Sequence, residues 1–158
     1  MADGVEFNLI GLDPLMEKLD AVSKDVKRKG GRAALRKAGN VIVKKARKNA
    51  RQFDDPETGR SVAKNVAIRW DKWRFKQTGD LAFRIGVQHG AKLSKHPDKG
   101  ANAPTPHWRL LEFGTEKMAA QPFLRPAGDE SIAEVTATFL TEYEKALDKA
   151  LAGGGSGT

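Results

Sequence analysis

The spacing of apolar residues predicts two helices in the first third of the chain. Asp13-Pro14 supplies a helix-capping residue followed by proline at the first helical position. Four apolar residues then share one narrow stripe: Leu15, Leu19, Val22 and Val26. Because glycine weakens a helix interior, Gly30-Gly31 is expected to end this first helix. A second helix is expected over residues 32–51, with small side chains on its apolar face.

An alternating pattern of apolar and polar residues predicts a small antiparallel sheet. Val5, Phe7 and Leu9 alternate with polar residues and predict a short first strand. The clearest alternation lies in residues 66–87, which predict a hairpin connected through residues 77–80. The hairpin is therefore expected to form most of the sheet.

The aromatic residues inside this hairpin admit two interpretations. Trp73 and Phe75 continue the alternation with shifted parity, so a bulge or a twist is expected near residues 71–72. Lysine and arginine alternate with the aromatic rings, as on surfaces that stack single-stranded nucleic acid. Packing of the rings in the core, with the cations outside, explains the same pattern and is preferred.

The second half of the chain predicts a loop, a short segment and a long helix. Residues 88–106 have no period and predict a long functional loop. Residues 107–115 fit either a helical turn or a strand. Ser131 and Glu134 have the spacing of a capping box, so a third helix is expected to follow and to end near Leu151.

Together these elements predict one α+β domain over residues 1–152. Two N-terminal helices and a C-terminal helix are expected to pack on a small, mainly antiparallel sheet. A chain of 158 residues is long enough for one hydrophobic core. Residues 153–158 are rich in glycine and predict a flexible tail.

Composition narrows the functional classes. Hydrophobic residues make up 39% and charged residues 30% of the chain, which is typical of a folded protein and gives no span for a membrane. The chain has no cysteine and three histidines, and no motif of an active site or a phosphate-binding loop. We therefore expect no enzymatic activity, catalytic residue, cofactor or metal, and interpret the histidines as solvated.

Charge is unevenly distributed along the chain. The net charge is +8, but residues 24–51 sum to +11 whereas residues 1–23 and 127–158 sum to −4 each. On the predicted second helix, six cations share an arc of about 120°: Arg36, Lys37, Lys44, Arg47, Lys48 and Arg51. This basic stripe is interpreted either as a contact with DNA or an acidic partner, or as a face solvated or paired with the acidic helices.

The most specific pattern combines two short segments. Residues 111–115 read Leu-Glu-Phe-Gly-Thr, and residues 122–127 read Pro-Phe-Leu-Arg-Pro-Ala. This pair resembles the signature of the tail-completion, or neck, proteins of long-tailed bacteriophages. Residues 58–60, Thr-Gly-Arg, resemble the opening of the family's Thr-Gly-x-Leu, although Ser61 stands where leucine is usual.

The resemblance implies a structural protein of the virion, located at the head–tail joint and made in the host cytoplasm. It would complete or cap the tail as a homo-oligomeric ring, for which a hexamer is expected. The implied partners are other copies of the chain, tail-tube and head-connector proteins, and packaged DNA through non-specific contact. The alternative is a stand-alone nucleic-acid-binding protein that uses the helix over residues 32–51. Nine motif residues are expected at a partner or subunit interface: Glu112, Phe113, Gly114, Thr115, Pro122, Phe123, Leu124, Arg125 and Pro126.

Elementary chemistry suggests roles within the motif. Gly114 is expected at positive φ, ending the element before it sharply. The two prolines favour an extended backbone around Phe123 and Leu124, which would anchor the segment to a partner or to its own core. The Arg125 guanidinium is expected to form a planar, two-point bond with the carboxylate of Glu112.

Overall fold

The computed structural model describes residues 12–88 and 105–153. The predicted strand near residue 7, most of the predicted loop and the glycine-rich tail beyond residue 153 lie outside these residues. Within these two ranges, seven helices and two strands follow in chain order: α1 (Leu12–Asp20), α2 (Lys24–Ala50, extended by one 3-10 turn, Arg51–Phe53), α3 (Val62–Asn65), β1 (Val66–Trp70), α4 (Lys72–Thr78), β2 (Phe83–Val87), α5 (Trp108–Phe113), α6 (Leu124–Asp129) and α7 (Ile132–Gly153). The α+β class is confirmed, because helices flank a two-stranded antiparallel sheet.

Helix α2 runs through the two glycines that the sequence predicted to be a helix end. The break lies earlier, where the Ser23 hydroxyl accepts a hydrogen bond from the Val26 backbone N–H at the start of α2 (3.4 Å). The two glycines lie at close contacts instead: a Cβ added to Gly30 would lie 3.3 Å from the Cβ of Ala146 on α7, and a Cβ added to Gly31 would lie 2.9 Å from the Leu81 side chain. The glycines therefore serve close helix packing, and the predicted break at this point is wrong.

The predicted antiparallel hairpin is confirmed, but its two strands are joined by a helix. Residues 66–70 pair with residues 83–87. Asp71 caps α4 by accepting a hydrogen bond from the Arg74 backbone N–H (3.0 Å), and Gly79 ends α4 at φ 78°. The shifted parity of the aromatic residues thus reflects a helix between the two strands, and the predicted bulge or twist is wrong.

Core packing accounts for most of the aromatic residues of this region. The Trp70 ring lies 5.4 Å from the Phe75 ring and 5.2 Å from the Phe83 ring, measured between centroids. Arg32 covers another face of Trp70 at 4.2 Å. Trp73 is the exception, because 68% of its surface is exposed.

Helix α2 organises the molecule by packing against α7, α6, α3 and both strands. It runs antiparallel to α7, since the Tyr143 hydroxyl donates to the Lys27 carbonyl (3.0 Å) while Lys45 pairs with Glu130 (2.9 Å). Eight buried residues form the central core, two of them from the motif: Val43, Ala46, Ala50, Val62, Ala63, Val66, Phe123 and Ala127. The motif is therefore built into the core next to the C-terminal half of α2.

The third predicted helix is confirmed as α7. The expected capping box does not start it, because the Ser131 hydroxyl is buried without a hydrogen-bond partner in the described parts of the chain. Backbone bonding begins at the same residue, since the Ser131 carbonyl accepts from the Val135 N–H (2.8 Å). The spacing of apolar residues therefore predicted this helix correctly, whereas the predicted cap is wrong.

Candidate functional site

One buried carboxylate joins the two halves of the motif. Glu112 lies in α5, and only 4% of its surface is exposed. Its Oε2 accepts hydrogen bonds from the backbone N–H groups of Phe123 (2.8 Å) and Leu124 (3.0 Å), and its Oε1 from that of Arg125 (2.9 Å). These N–H groups have no partner inside α6, because they lie at its first turn. Glu112 thus caps α6 from a distant position and fixes α5 to α6.

The predicted two-point bond between the side chains of Glu112 and Arg125 is wrong. Both carboxylate oxygens are occupied by backbone N–H groups, and Arg125 contributes its own backbone N–H to that set. Its guanidinium is exposed and lies 5.9 Å from the centre of the Phe113 ring. The side chain of Arg125 therefore faces solvent beside an aromatic ring and is available to a partner.

A tight loop after α5 brings the two halves of the motif together. Gly114 has φ 74° and ψ 178°, a backbone conformation that is almost restricted to glycine, as the sequence predicted in part. A Cβ at this position would lie 2.7 Å from the backbone nitrogen of Ala120. The Thr115 hydroxyl accepts a hydrogen bond from the Met118 N–H (3.1 Å) and holds the loop closed. The segment between the two halves is thus fixed by its own backbone.

The expected extended conformation around Phe123 and Leu124 is wrong, because α6 begins at Leu124. Pro126 is the third residue of that helix, where the missing N–H leaves no intrahelical bond unmade. Phe123 is completely buried and packs 6.2 Å from the Phe53 ring. Its side chain therefore anchors the motif to the core of its own chain, while Pro122 is exposed.

We call the three hydrogen bonds of Glu112 to the start of α6 the brace. Helix α5, which the brace holds in place, presents an apolar face to solvent. Leu110 is 49% and Phe113 63% exposed, and their spacing of three residues places them on one side of the helix. Exposed guanidiniums flank them, since Arg109 and Arg125 lie over the rings of Trp108 and Phe113. We call Arg109, Leu110, Phe113 and Arg125 the α5 patch. The sequence reasoning missed Arg109 and Leu110, whose relation to Phe113 becomes visible only once residues 108–113 are known to be helical.

The basic stripe of α2 divides into structural and solvent-facing cations. Lys37 pairs with Glu142 of α7 (2.5 Å) and holds the pKa of that carboxyl below its usual range. Arg47 donates two hydrogen bonds, from Nε (3.1 Å) and Nη2 (2.8 Å), to the Val66 carbonyl. The other members of the stripe are exposed and make no ion pair with another described residue: Arg36, Lys44, Lys48 and Arg51.

Two further observations concern metal binding and membrane-spanning helices. Within residues 12–88 and 105–153, no group of histidine, aspartate and glutamate side chains is arranged to hold a metal ion. No helix in the same residues combines the length and apolar character needed to cross a membrane. His107 is among these residues, whereas His89 and His96 lie outside them.

Comparison with known protein families gives a match over much of the chain. The family model described as "Bacteriophage HK97-gp10, putative tail-component" matches residues 13–114, which is more than half of the chain. The chain belongs to the HK97-gp10 family. The prediction of a phage tail family is thereby confirmed, and HK97-gp10 membership makes the protein a tail structural component of the virion. Comparisons with curated proteins and with solved structures give no match.

The extent of the HK97-gp10 match adds to the description of the motif. It runs from α1 to Gly114, and so includes Glu112 and Phe113. Residues 122–127, which carry the second half of the motif, lie beyond it. Glu112 nevertheless binds this second half directly through three hydrogen bonds. The α5 patch includes both parts of the chain, because Arg125 lies beyond the matched residues.

Proposed function

We propose that this tail component completes or caps the tail at the head–tail joint, as a homo-oligomeric ring that contacts tail-tube and head-connector proteins. The observation that carries the proposal is the α5 patch, an apolar face held in solvent by a buried brace. Leu110 and Phe113 would gain burial in an assembly, and aromatic residues beside arginine are typical anchors of protein interfaces. A ring of six subunits is the order we propose.

The brace explains why such a patch would serve assembly rather than fold stability. Phe113 is 63% exposed, so its ring contributes little to the core of its own chain. Glu112, one residue earlier, is buried and fixes the helix through three hydrogen bonds to α6. A rigid, pre-formed surface loses little conformational freedom when a partner binds, which favours association. The role proposed is structural, in keeping with the family, and requires no catalytic group.

A complementation assay tests this function. Phage particles lacking the chain are supplied with the wild-type protein or with Phe113→Asp, and joined, infectious particles are counted. We expect Phe113→Asp to lose joining activity while its melting temperature stays within a few degrees of the wild type, because the side chain is exposed. Trp73→Asp is the matched control, since Trp73 is equally exposed but lies on α4, outside the patch. Full activity of Phe113→Asp would refute the proposed role of the patch.

DNA contact is a second candidate function, favoured by the four solvent-facing cations of α2. They lie within about 22 Å along one helix, a spacing suited to successive phosphates. In a ring, this surface would contact packaged DNA without reading its sequence. Replacement of all four with alanine should flatten the salt dependence of duplex binding, since each lost phosphate contact removes about 0.9 from the log–log slope. An unchanged slope would show that these four cations do not contact DNA.

A further inference from the structure

Helix α1 carries a second surface that no other residue of the described ranges 12–88 and 105–153 covers. Four exposed residues lie at the spacing of one helix face: Asp13, Met16, Glu17 and Asp20. Met16 is 50% exposed and lies among the three carboxylates. The opposite side of α1 attaches it to the protein, since Leu15 is buried and Lys18 pairs with Glu144 and Asp148 of α7 (2.7 Å each). We call the four exposed residues the α1 face.

The α1 face and the α5 patch are complementary in charge and in chemistry. One combines a methionine with three carboxylates, and the other combines two apolar side chains with two guanidiniums. None of these charged groups forms an ion pair with another residue in the described ranges. Arginine binds carboxylates through two parallel hydrogen bonds, and methionine sulfur packs well against an aromatic edge such as Phe113.

The two surfaces lie at opposite ends of the molecule. Helix α1 is attached to the C-terminal half of α7, beside Lys27 of α2. Helix α6, to which Glu112 of α5 is bound, lies at the other end of α2, where the Asn49 side chain donates to the Phe123 carbonyl (3.3 Å). Lys27 and Asn49 are separated by about 33 Å along the helix. One chain therefore cannot bring its own α1 face to its own α5 patch.

We propose that the α5 patch of one copy docks on the α1 face of the next copy, so that subunits associate head to tail. This inference rests on the proposed ring and names the two surfaces that form it. A single head-to-tail contact leaves one surface of each kind unoccupied on every dimer, so further copies add, and they form a ring when the rotation between neighbours closes. An isologous dimer, by contrast, pairs each residue with a different residue of the other copy in both directions, so it would occupy both surfaces of both copies and stop at two.

Cysteine cross-linking tests the pairing directly, because the chain contains no cysteine of its own. Met16→Cys and Leu110→Cys are prepared as separate proteins, mixed at concentrations where the wild type associates, and oxidised. We expect a disulfide-linked heterodimer of the two variants, and a ladder of oligomers when both cysteines are in one chain. The two sites are farther apart than the roughly 7 Å between Cα atoms that a disulfide allows. A disulfide between them therefore cannot form within one chain and must join two copies. Trp73→Cys mixed with Met16→Cys is the control and should stay unlinked.

Charge reversal gives a second, independent test by light scattering and native mass spectrometry. Arg109→Glu/Arg125→Glu and Glu17→Arg/Asp20→Arg should each weaken self-association at least about tenfold, since like charges then face each other. A mixture of the two variants should associate again, because each reversed surface meets an opposite charge on the other variant. Both measurements are repeated with purified tails as the template.

The outcomes separate this inference from the function on which it rests. A wild type that forms rings while the cross-link is absent and both charge reversals associate normally would overturn the pairing and leave the ring standing. A wild type that stays monomeric alone and on tails would overturn both proposals. Loss of tail binding by Leu110→Cys in a protein that never self-associates would show that another tail protein covers the patch, and would equally overturn the inference.

Discussion

Removal of the Glu112 carboxylate is the sharpest test of how the motif is held together. In Glu112→Ala, the buried N–H of Phe123 loses its acceptor, which costs about 1–3 kcal/mol. The N–H groups of Leu124 and Arg125 lie at a partly exposed helix start, where loss of a capping acceptor costs about 0.5–2 kcal/mol. We therefore expect Glu112→Ala to lower the free energy of unfolding by about 1.5–5 kcal/mol. Glu112→Gln keeps one acceptor oxygen and should lose less.

Urea denaturation measures this loss as a shift of the midpoint at unchanged slope. Glu116→Ala is the matched control, because Glu116 is an exposed carboxylate in the same segment and should change stability by no more than about 0.5 kcal/mol. The reasoning is refuted if Glu112→Ala is as stable as Glu116→Ala. The hydrogen bonds to α6 would then add nothing to the fold, and the α5 patch could not depend on them.

Three further predictions address the core, the loop and the electrostatics. Phe123→Ala should destabilise the isolated subunit by about 3–5 kcal/mol, measured in urea, because the ring is completely buried; a loss below 1 kcal/mol would contradict its core role. Gly114→Ala should cost at least about 1–3 kcal/mol from backbone strain, and a melting temperature equal to the wild type would contradict the glycine-specific conformation. The folded-state pKa of Glu142 lies below its unfolded value of about 4.3, so the stability from its pair with Lys37 is present above that pH and lost as the pH falls through the folded pKa. Lys37→Met should reduce this acid sensitivity in pH titrations of stability, whereas an unchanged profile would show that the pair contributes nothing.

Periodicity predicted the long elements correctly because their apolar faces are actually buried. Helix α7 and the hairpin followed from spacing alone, and both pack on α2. Local propensity misled the prediction where tertiary packing overrides it. Gly30 and Gly31 predicted a helix end, but their missing side chains let α7 and Leu81 approach α2 closely.

The candidate site was located from the sequence but its chemistry was not. Glu112, Gly114 and Arg125 were identified through the motif, and the positive φ of Gly114 followed from glycine alone. The partners of Glu112 could not be derived, because its three hydrogen bonds come from backbone N–H groups, which do not depend on the type of residue that carries them. The α5 patch escaped notice for a related reason: Leu110 and Phe113 share a face only in a helix, and residues 107–115 fitted a strand equally well.

A cryo-electron-microscopy reconstruction of the assembled virion tests the central claim most directly. We predict a closed ring of this chain at the head-proximal end of the tail, with the α5 patch of each subunit buried against α1 of its neighbour. Density for the chain elsewhere in the particle, or a ring in which Phe113 remains exposed to solvent, would contradict the account.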